Sequence, residues 1–146
     1  DYLRRRLPLV PKGSAYCWAH VDDVARAHVL AMERARAGEQ YFVCGPVHTV
    51  RDALRVAQEI TGVPAPRFSA PPAMLKATAA LMRVVETAVP VPANYRSEYL
   101  RVGAGVTYLG SNAKARRELG WEPRPLREGL AETLHYEMQQ PGVKSA

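Results

Sequence analysis

Ala15-Tyr16-Cys17-Trp18-Ala19-His20-Val21 runs straight into Asp22-Asp23-Val24-Ala25-Arg26-Ala27-His28-Val29-Leu30-Ala31-Met32-Glu33-Arg34, and the change of period at the two aspartates decides the fold. The first seven residues are short, aromatic-rich and apolar, as a buried strand requires. Asp22 and Asp23 make a helix start, because a carboxylate there accepts orphan backbone N–H groups and complements the macrodipole. In the helix that follows, from about Asp23 to Arg36, Val24, Ala27, His28 and Ala31 share one stripe, with Arg26 and Glu33 off it. Gly38 stops that helix.

Downstream, Glu39 to Gly45 reads as a continuous apolar strand of the kind buried on both faces of a parallel sheet, closed by Gly45-Pro46. Thr49 followed three residues later by Asp52 is a capping-box variant. Val50, Ala53, Leu54, Ala57 and Ile60 then repeat at helical spacing until Gly62 and Pro64. Strand, helix, strand, helix is the pattern of a parallel α/β fold. Upstream, Arg4, Arg5 and Arg6 precede Pro8 as cations at a helix end do. Asp1 to Arg6 thus reads as the close of an element already under way, and the expectation is an incomplete chain.

Beyond Pro64 the character changes. Arg67 to Ala70 is compatible with a short strand, and Pro72 opens a helix running to about Val89. That helix is apolar nearly all round: Met74, Leu75, Leu81, Met82, Val84 and Val85 point several ways and require packing partners, an apolar ligand or a membrane surface. Asn94 to Val102 is a further helix candidate, with Tyr95 and Tyr99 one turn apart, and Val106 to Leu109 reads as a strand. Ser111 or Asn112 caps a short helix from Lys114 to Leu119. Gly120 ends it, and Trp121-Glu122-Pro123 turns the chain into a last helix from about Leu126 to Gln140.

Composition bounds the rest. The 146 residues, 47% hydrophobic, are enough for one core. Twenty Lys and Arg against fourteen Asp and Glu give a net charge of +6, but the signs are interspersed and no stacking aromatics interleave the arginines, so no nucleic-acid surface is expected. Cys17 and Cys44 lack the Cys-x-x-Cys spacing of zinc or thiol-redox sites, and a reducing, cytoplasmic setting fits them. No apolar run approaches the roughly 18 uncharged residues of a membrane span. Gly-x-Gly-x-x-Gly, Gly-x-x-x-x-Gly-Lys, His-Glu-x-x-His and Gly-x-Ser-x-Gly are all absent from the sequence. His20, Asp22 and Asp23 carry metal-ligand chemistry, but a strand end and a helix cap rarely converge on one ion, so capping is the expected role of the aspartates. His28, among apolar neighbours, is expected to be a hydrogen-bonded core histidine.

At H-V-D-D-V-A-R-A-H-V-L-A-M-E-R (His20 to Arg34) the chain resembles the extended short-chain dehydrogenase/reductases, the NAD-dependent epimerase/dehydratase superfamily. G-E-Q-Y-F-V-C-G (Gly38 to Gly45), T-V-R-D-A-L-R-V-A-Q-E-I-T-G (Thr49 to Gly62) and S-N-A-K-A-R-R-E-L-G-W-E-P (Ser111 to Pro123) extend the resemblance over essentially the whole sequence. It implies the carboxy-terminal part of a Rossmann-type protein roughly twice as long. Residues 1–62 would be the last strands and helices of the dinucleotide-binding domain, and 63–146 a substrate-binding lobe. The superfamily binds NAD or NADP on a Gly-rich loop and uses a Tyr-x-x-x-Lys pair as its proton relay. None of the seven tyrosines here has Lys four residues on. The resemblance therefore implies an oxidoreductase or epimerase/dehydratase whose catalytic and cofactor-binding residues lie in a missing amino-terminal half, the expected partner, with no cofactor bound by this part alone. Nucleotide-sugar epimerases place Arg on the strand before S-x-x-K-A and often Asp at its cap; Gly103 to Leu109 has no Arg and Ser111 stands at the cap. The dihydroflavonol reductase-like branch, acting on carbonyls of ring-bearing substrates, fits better. Its small-molecule substrate would meet Met74, Tyr95 and Tyr99. A strand pair without its sheet would also self-associate. The competing reading is a stand-alone basic helical module for nucleic acid or a protein partner.

Overall fold

Ala15 to Cys17 lies at the centre of the main sheet, and the other elements are placed by what it pairs with. The computed structural model describes residues 1–7, 9–89, 96–98 and 107–140. In chain order the elements are β1 (Val10–Pro11), β2 (Ala15–Cys17), α1 (Val21–Arg34), β3 (Val47–Thr49), α2 (Val50–Thr61), β4 (Ser69–Ala70), α3 (Pro72–Val85), β5 (Thr107–Tyr108), α4 (Ala113–Leu119) and α5 (Leu126–Met138). β2 pairs antiparallel with β3, Tyr16 opposite His48, and parallel with β5, Tyr16 opposite Tyr108. The Tyr16 and Tyr108 rings stack at 6.1 Å. β1 and β4 form a second, parallel pair with Val10 opposite Ser69. The α/β class agrees with the sequence pattern, but the parallel pairs are β1–β4 and β2–β5, whereas β2 and β3, the strands on either side of α1, pair antiparallel.

The capping logic at Thr49 is realised in full. Its Oγ1 accepts from the Asp52 N–H at 3.1 Å and donates to the Asp52 carboxylate at 2.6 Å, and Gly62 closes α2 with φ of 73°. Pro72 takes the first turn of α3, and Gly120 ends α4 in the left-handed region.

Five expectations change. First, α1 begins at Val21 and its cap is His20, whose Nδ1 accepts from the Asp22 N–H at 3.4 Å; neither aspartate is the cap. Second, residues 39–46 form no ladder among the described residues. Tyr41 and Val43 pack against Ala27, Leu30, Leu119 and Trp121 while Phe42 is 72% exposed, so the segment buries one face, not two. Side chains tie its backbone instead: Lys114 Nζ donates to the Gln40 carbonyl at 3.1 Å, and Asn112 Nδ2 to that of Cys44 at 2.7 Å. At its end a Cβ on Gly45 would lie 1.6 Å from the Trp18 carbonyl oxygen, so only glycine admits this crossing of 45 over β2's exit. Third, His28 is exposed rather than in the core and bonds the Val24 carbonyl one turn back. Fourth, α3 buries only Leu75 and Ala79, leaving Leu81 and Val84 about two-thirds exposed, so its apolar girth is not taken up by a core. Fifth, residues 1–6 form turns rather than a helix end. Most of the Asn94 to Val102 helix candidate lies outside the described residues.

Candidate functional site

The motifs at His20–Arg34 and Ser111–Pro123 meet across the start of α1. Trp121, fully buried, donates its indole N–H to the Asp23 carbonyl at 2.7 Å. The Asp23 carboxylate, also buried, accepts the Arg124 backbone N–H at 3.0 Å and the Arg124 Nε at 3.1 Å. Burial pushes the Asp23 carboxyl up, but the Arg124 N–H, the Arg124 guanidinium and His20 outweigh it and hold the group below the usual carboxylate range. Arg124 reaches on to Glu132 of α5, which also faces His20 Nε2 at 3.9 Å. Arg34, at the other end of α1, donates to the Leu119 carbonyl at 2.6 Å. Asp23 is thus an anchor between α1 and the turn before α5, a role its spacing alone does not reveal because Arg124 is remote in sequence.

The metal-ligand grouping also differs from the one the sequence singles out. His20, Asp22 and Glu132 bring donor atoms within 4.8 Å of one another, while Asp23 points to Arg124. Within that group His20 Nδ1 already accepts the Asp22 N–H, and Glu132 already takes Arg124, whose charge opposes a cation there.

A wide cleft of about 690 Å³ opens on α3, lined by Lys76, Ala79, Ala80, Arg83, Ser97 and Glu98 among the described residues. Lys76 and Arg83 lie two turns apart on one face of α3, with alanines between them. Ser97 is positioned from below by Glu86, whose carboxylate accepts its backbone N–H and its hydroxyl. Two cations and one carboxylate around an apolar floor suit a ligand with an apolar body and a polar or anionic rim. Of the residues named from sequence, Met74 lies on α3, 46% exposed, and is not among those lining the cleft; Tyr95 and Tyr99 lie outside the described residues. Lys76 and Arg83 escaped notice because seven-residue spacing on an apolar helix reads as solvated charge.

No Gly-rich phosphate loop occurs in the sequence, and no Tyr-x-x-x-Lys.

Fold and motif geometry define an extended short-chain dehydrogenase/reductase, and comparison with known proteins agrees. The GDP-mannose 4,6 dehydratase family model matches residues 14–133, and the chain belongs to that family within the NAD-dependent epimerase/dehydratase superfamily. The chain is 29% identical over 135 residues to sterol demethylase protein B of Methylococcus capsulatus, covering 92% of the chain and 41% of that protein. Over 117 residues it is 29% identical to a UDP-glucose 4-epimerase of Corynebacterium glutamicum, covering 77% of the chain and 27% of the epimerase. The crystal structure of gox2253 superposes with a TM-score of 0.72 at 26% identity, covering 99% of this chain and 43% of that one. The chain thus spans well under half the length of these relatives.

Proposed function

We propose that this chain is the carboxy-terminal, substrate-side part of an NAD(P)-dependent oxidoreductase or epimerase/dehydratase that acts on a carbonyl or hydroxyl of a small, ring-bearing substrate. One observation carries the reading: family motifs fill residues 14–133 and close on each other at Asp23–Arg124, while the sequence has neither phosphate loop nor tyrosine–lysine pair. An amino-terminal partner segment would supply both, and with them the bound nicotinamide whose chemistry is hydride transfer. The residues of this chain would then shape and orient the substrate. In that division residues 1–62 complete the dinucleotide-binding domain and 63–146 form the lobe around α3.

The α3 cleft supports a small-molecule substrate, and Met74, which lies on α3 outside the cleft lining, together with Tyr95 and Tyr99, is kept as a proposed substrate contact. Ala79 and Ala80 between the two cations favour an apolar ring system of the kind the name of the Methylococcus relative denotes. Lys76 and Arg83 offer the charge that a nucleotide sugar, named by the epimerases, would use.

Calorimetric titration of the 146-residue chain with NAD and with NADP should give no heat of binding, whereas a polypeptide extended by the upstream reading frame should bind one of them. With that longer protein, turnover of a sterol ketone and of UDP-glucose, compared in wild type and Lys76→Ala/Arg83→Ala, separates the two substrate classes. Micromolar cofactor binding by the chain alone would overturn the proposal.

A further inference from the structure

The Cys44 carbonyl accepts from Asn112, but the sulfurs of Cys17 and Cys44 take no part in the anchoring contacts described above, and the fold brings both to one cavity wall. Cys17 ends β2, and Cys44 lies in the segment that has no ladder of its own. Gly110, just past β5, touches both sulfurs. Its N–H points at Cys17 Sγ at 3.2 Å, its carbonyl lies 3.6 Å from the same sulfur, and a Cβ built on it would stand 3.3 Å from Cys44 Sγ. Both thiols are free and half-buried, and both line an open cavity of about 430 Å³ with Tyr16, Phe42, Tyr108 and Leu109. Burial, together with the Cys17 side chain beside it, pushes the Cys44 thiol above its ordinary value, so Cys44 meets its neighbour as a neutral thiol.

We propose that Cys17 and Cys44 are a modification site: a dithiol that a hydroperoxide converts into a reversible intramolecular disulfide. Cys17 reacts first. Its proton leaves to solvent, and the thiolate attacks one peroxide oxygen. The O–O bond breaks, and the departing hydroxide takes a proton to become water, leaving a sulfenic acid on Cys17. Cys44 then gives up its proton as its sulfur attacks the Cys17 sulfur, the S–O bond breaks, and the second hydroxide leaves as water. Two thiols are oxidised to one disulfide, and one hydrogen peroxide is reduced to two waters. The Gly110 N–H donates to the Cys17 sulfur and is placed to stabilise its thiolate during the attack, and the open cavity admits the oxidant. The bridge joins β2 covalently to residues 39–46, the segment now tied down by side chains from α4 and its approach.

The test is intact mass, thiol titration under denaturing conditions and a non-reducing peptide map of the full chain after hydrogen peroxide. Expected are loss of both thiols together, a mass lower by two hydrogens in a single chain, a peptide bearing Cys17 linked to one bearing Cys44, and full reversal by dithiothreitol. Cys44→Ser should halt at a sulfenic acid on Cys17 that dimedone traps, and Cys17→Ser should leave Cys44 reduced over the same time. Links between chains, sulfinic acids without a cross-linked peptide, or Cys44 oxidising equally fast in Cys17→Ser would overturn the proposal. The wild-type peptide map decides even where a variant folds poorly.

Discussion

The Asp23 carboxylate and the Arg124 side chain, 101 residues apart in sequence, meet at 3.1 Å, and the same carboxylate also takes the Arg124 backbone N–H. This pairing fixes the turn before α5 against the first turn of α1, with the buried Trp121 bonded to the same residue's carbonyl. Asp23→Asn keeps the shape but removes the charge from a buried, multiply bonded acceptor, and Arg124→Ala leaves that charge unpaired. Each should lower unfolding free energy by about 2–3 kcal/mol, and the double variant by less than the sum. Urea titration of all four proteins measures this, and additive losses near 0.5 kcal/mol would show a solvated pair instead.

The same contact sets a pH dependence. The folded carboxyl of Asp23 lies below its ordinary value of 3.8, because the Arg124 N–H and guanidinium outweigh the upward push of burial. A group depressed in the folded state binds its proton more readily when unfolded, so its stabilisation is present above the ordinary value and fades as pH falls through the folded one. The stability gap between wild type and Asp23→Asn should therefore be full at about pH 6 and shrink below about pH 4. A gap constant from about pH 6 to about pH 2.5 would refute the assignment.

Thr49 and Asp52 form the reciprocal cap of α2. Thr49→Ala should cost about 1 kcal/mol and Thr49→Ser much less, read from thermal melts. Asp52→Ala in the Thr49→Ala background should add little, since the partner is already gone. Independent, additive effects would mean the two side chains do not act together.

Thr49, Gly62, Pro72 and Gly120 were legible because capping and turn chemistry are local, written within a few residues of the element they end. Asp23 was not: its neighbours offered a helix terminus, and Arg124 is invisible at that range. Residues 39–45 misled for a related reason, since a short apolar run does not say whether one face or two will be covered. Tyr41 and Val43 turn to the core and Phe42 away from it. The cleft on α3 was half legible. The apolar helix was plain, but which of its faces opens depends on where Ser97 and Glu98 are brought.

Gly45 carries a sharper signal than its place at the end of an apolar run. A Cβ there would overlap the Trp18 carbonyl oxygen at 1.6 Å, and that carbonyl belongs to backbone that cannot swing aside. Gly45→Ala should destabilise by more than about 3 kcal/mol, or prevent folding, whereas Gly13→Ala, at positive φ but with open space around it, should cost about 1 kcal/mol. Equal melting temperatures for Gly45→Ala and wild type would show that the crossing is looser than drawn.

The apolar surface around β5 bears on assembly. β5 is an outer strand of the sheet order β3-β2-β5, and beside it Phe42, Tyr108 and Leu109 are 72%, 58% and 59% exposed. Contiguous apolar side chains next to a strand edge present both hydrophobic area and unpaired backbone groups, the combination that draws in another chain. For the 146-residue chain by itself, light scattering should show a dimer or larger species at micromolar concentration. Because Phe42 points away from the core cluster, Phe42→Glu should leave the far-ultraviolet circular dichroism unchanged while shifting the population toward monomer. Tyr136→Glu, at an exposed aromatic of α5, should leave assembly as it is. A wild-type chain that stays monomeric under these conditions would show that this surface needs no cover, and would count against a sheet completed by a second segment.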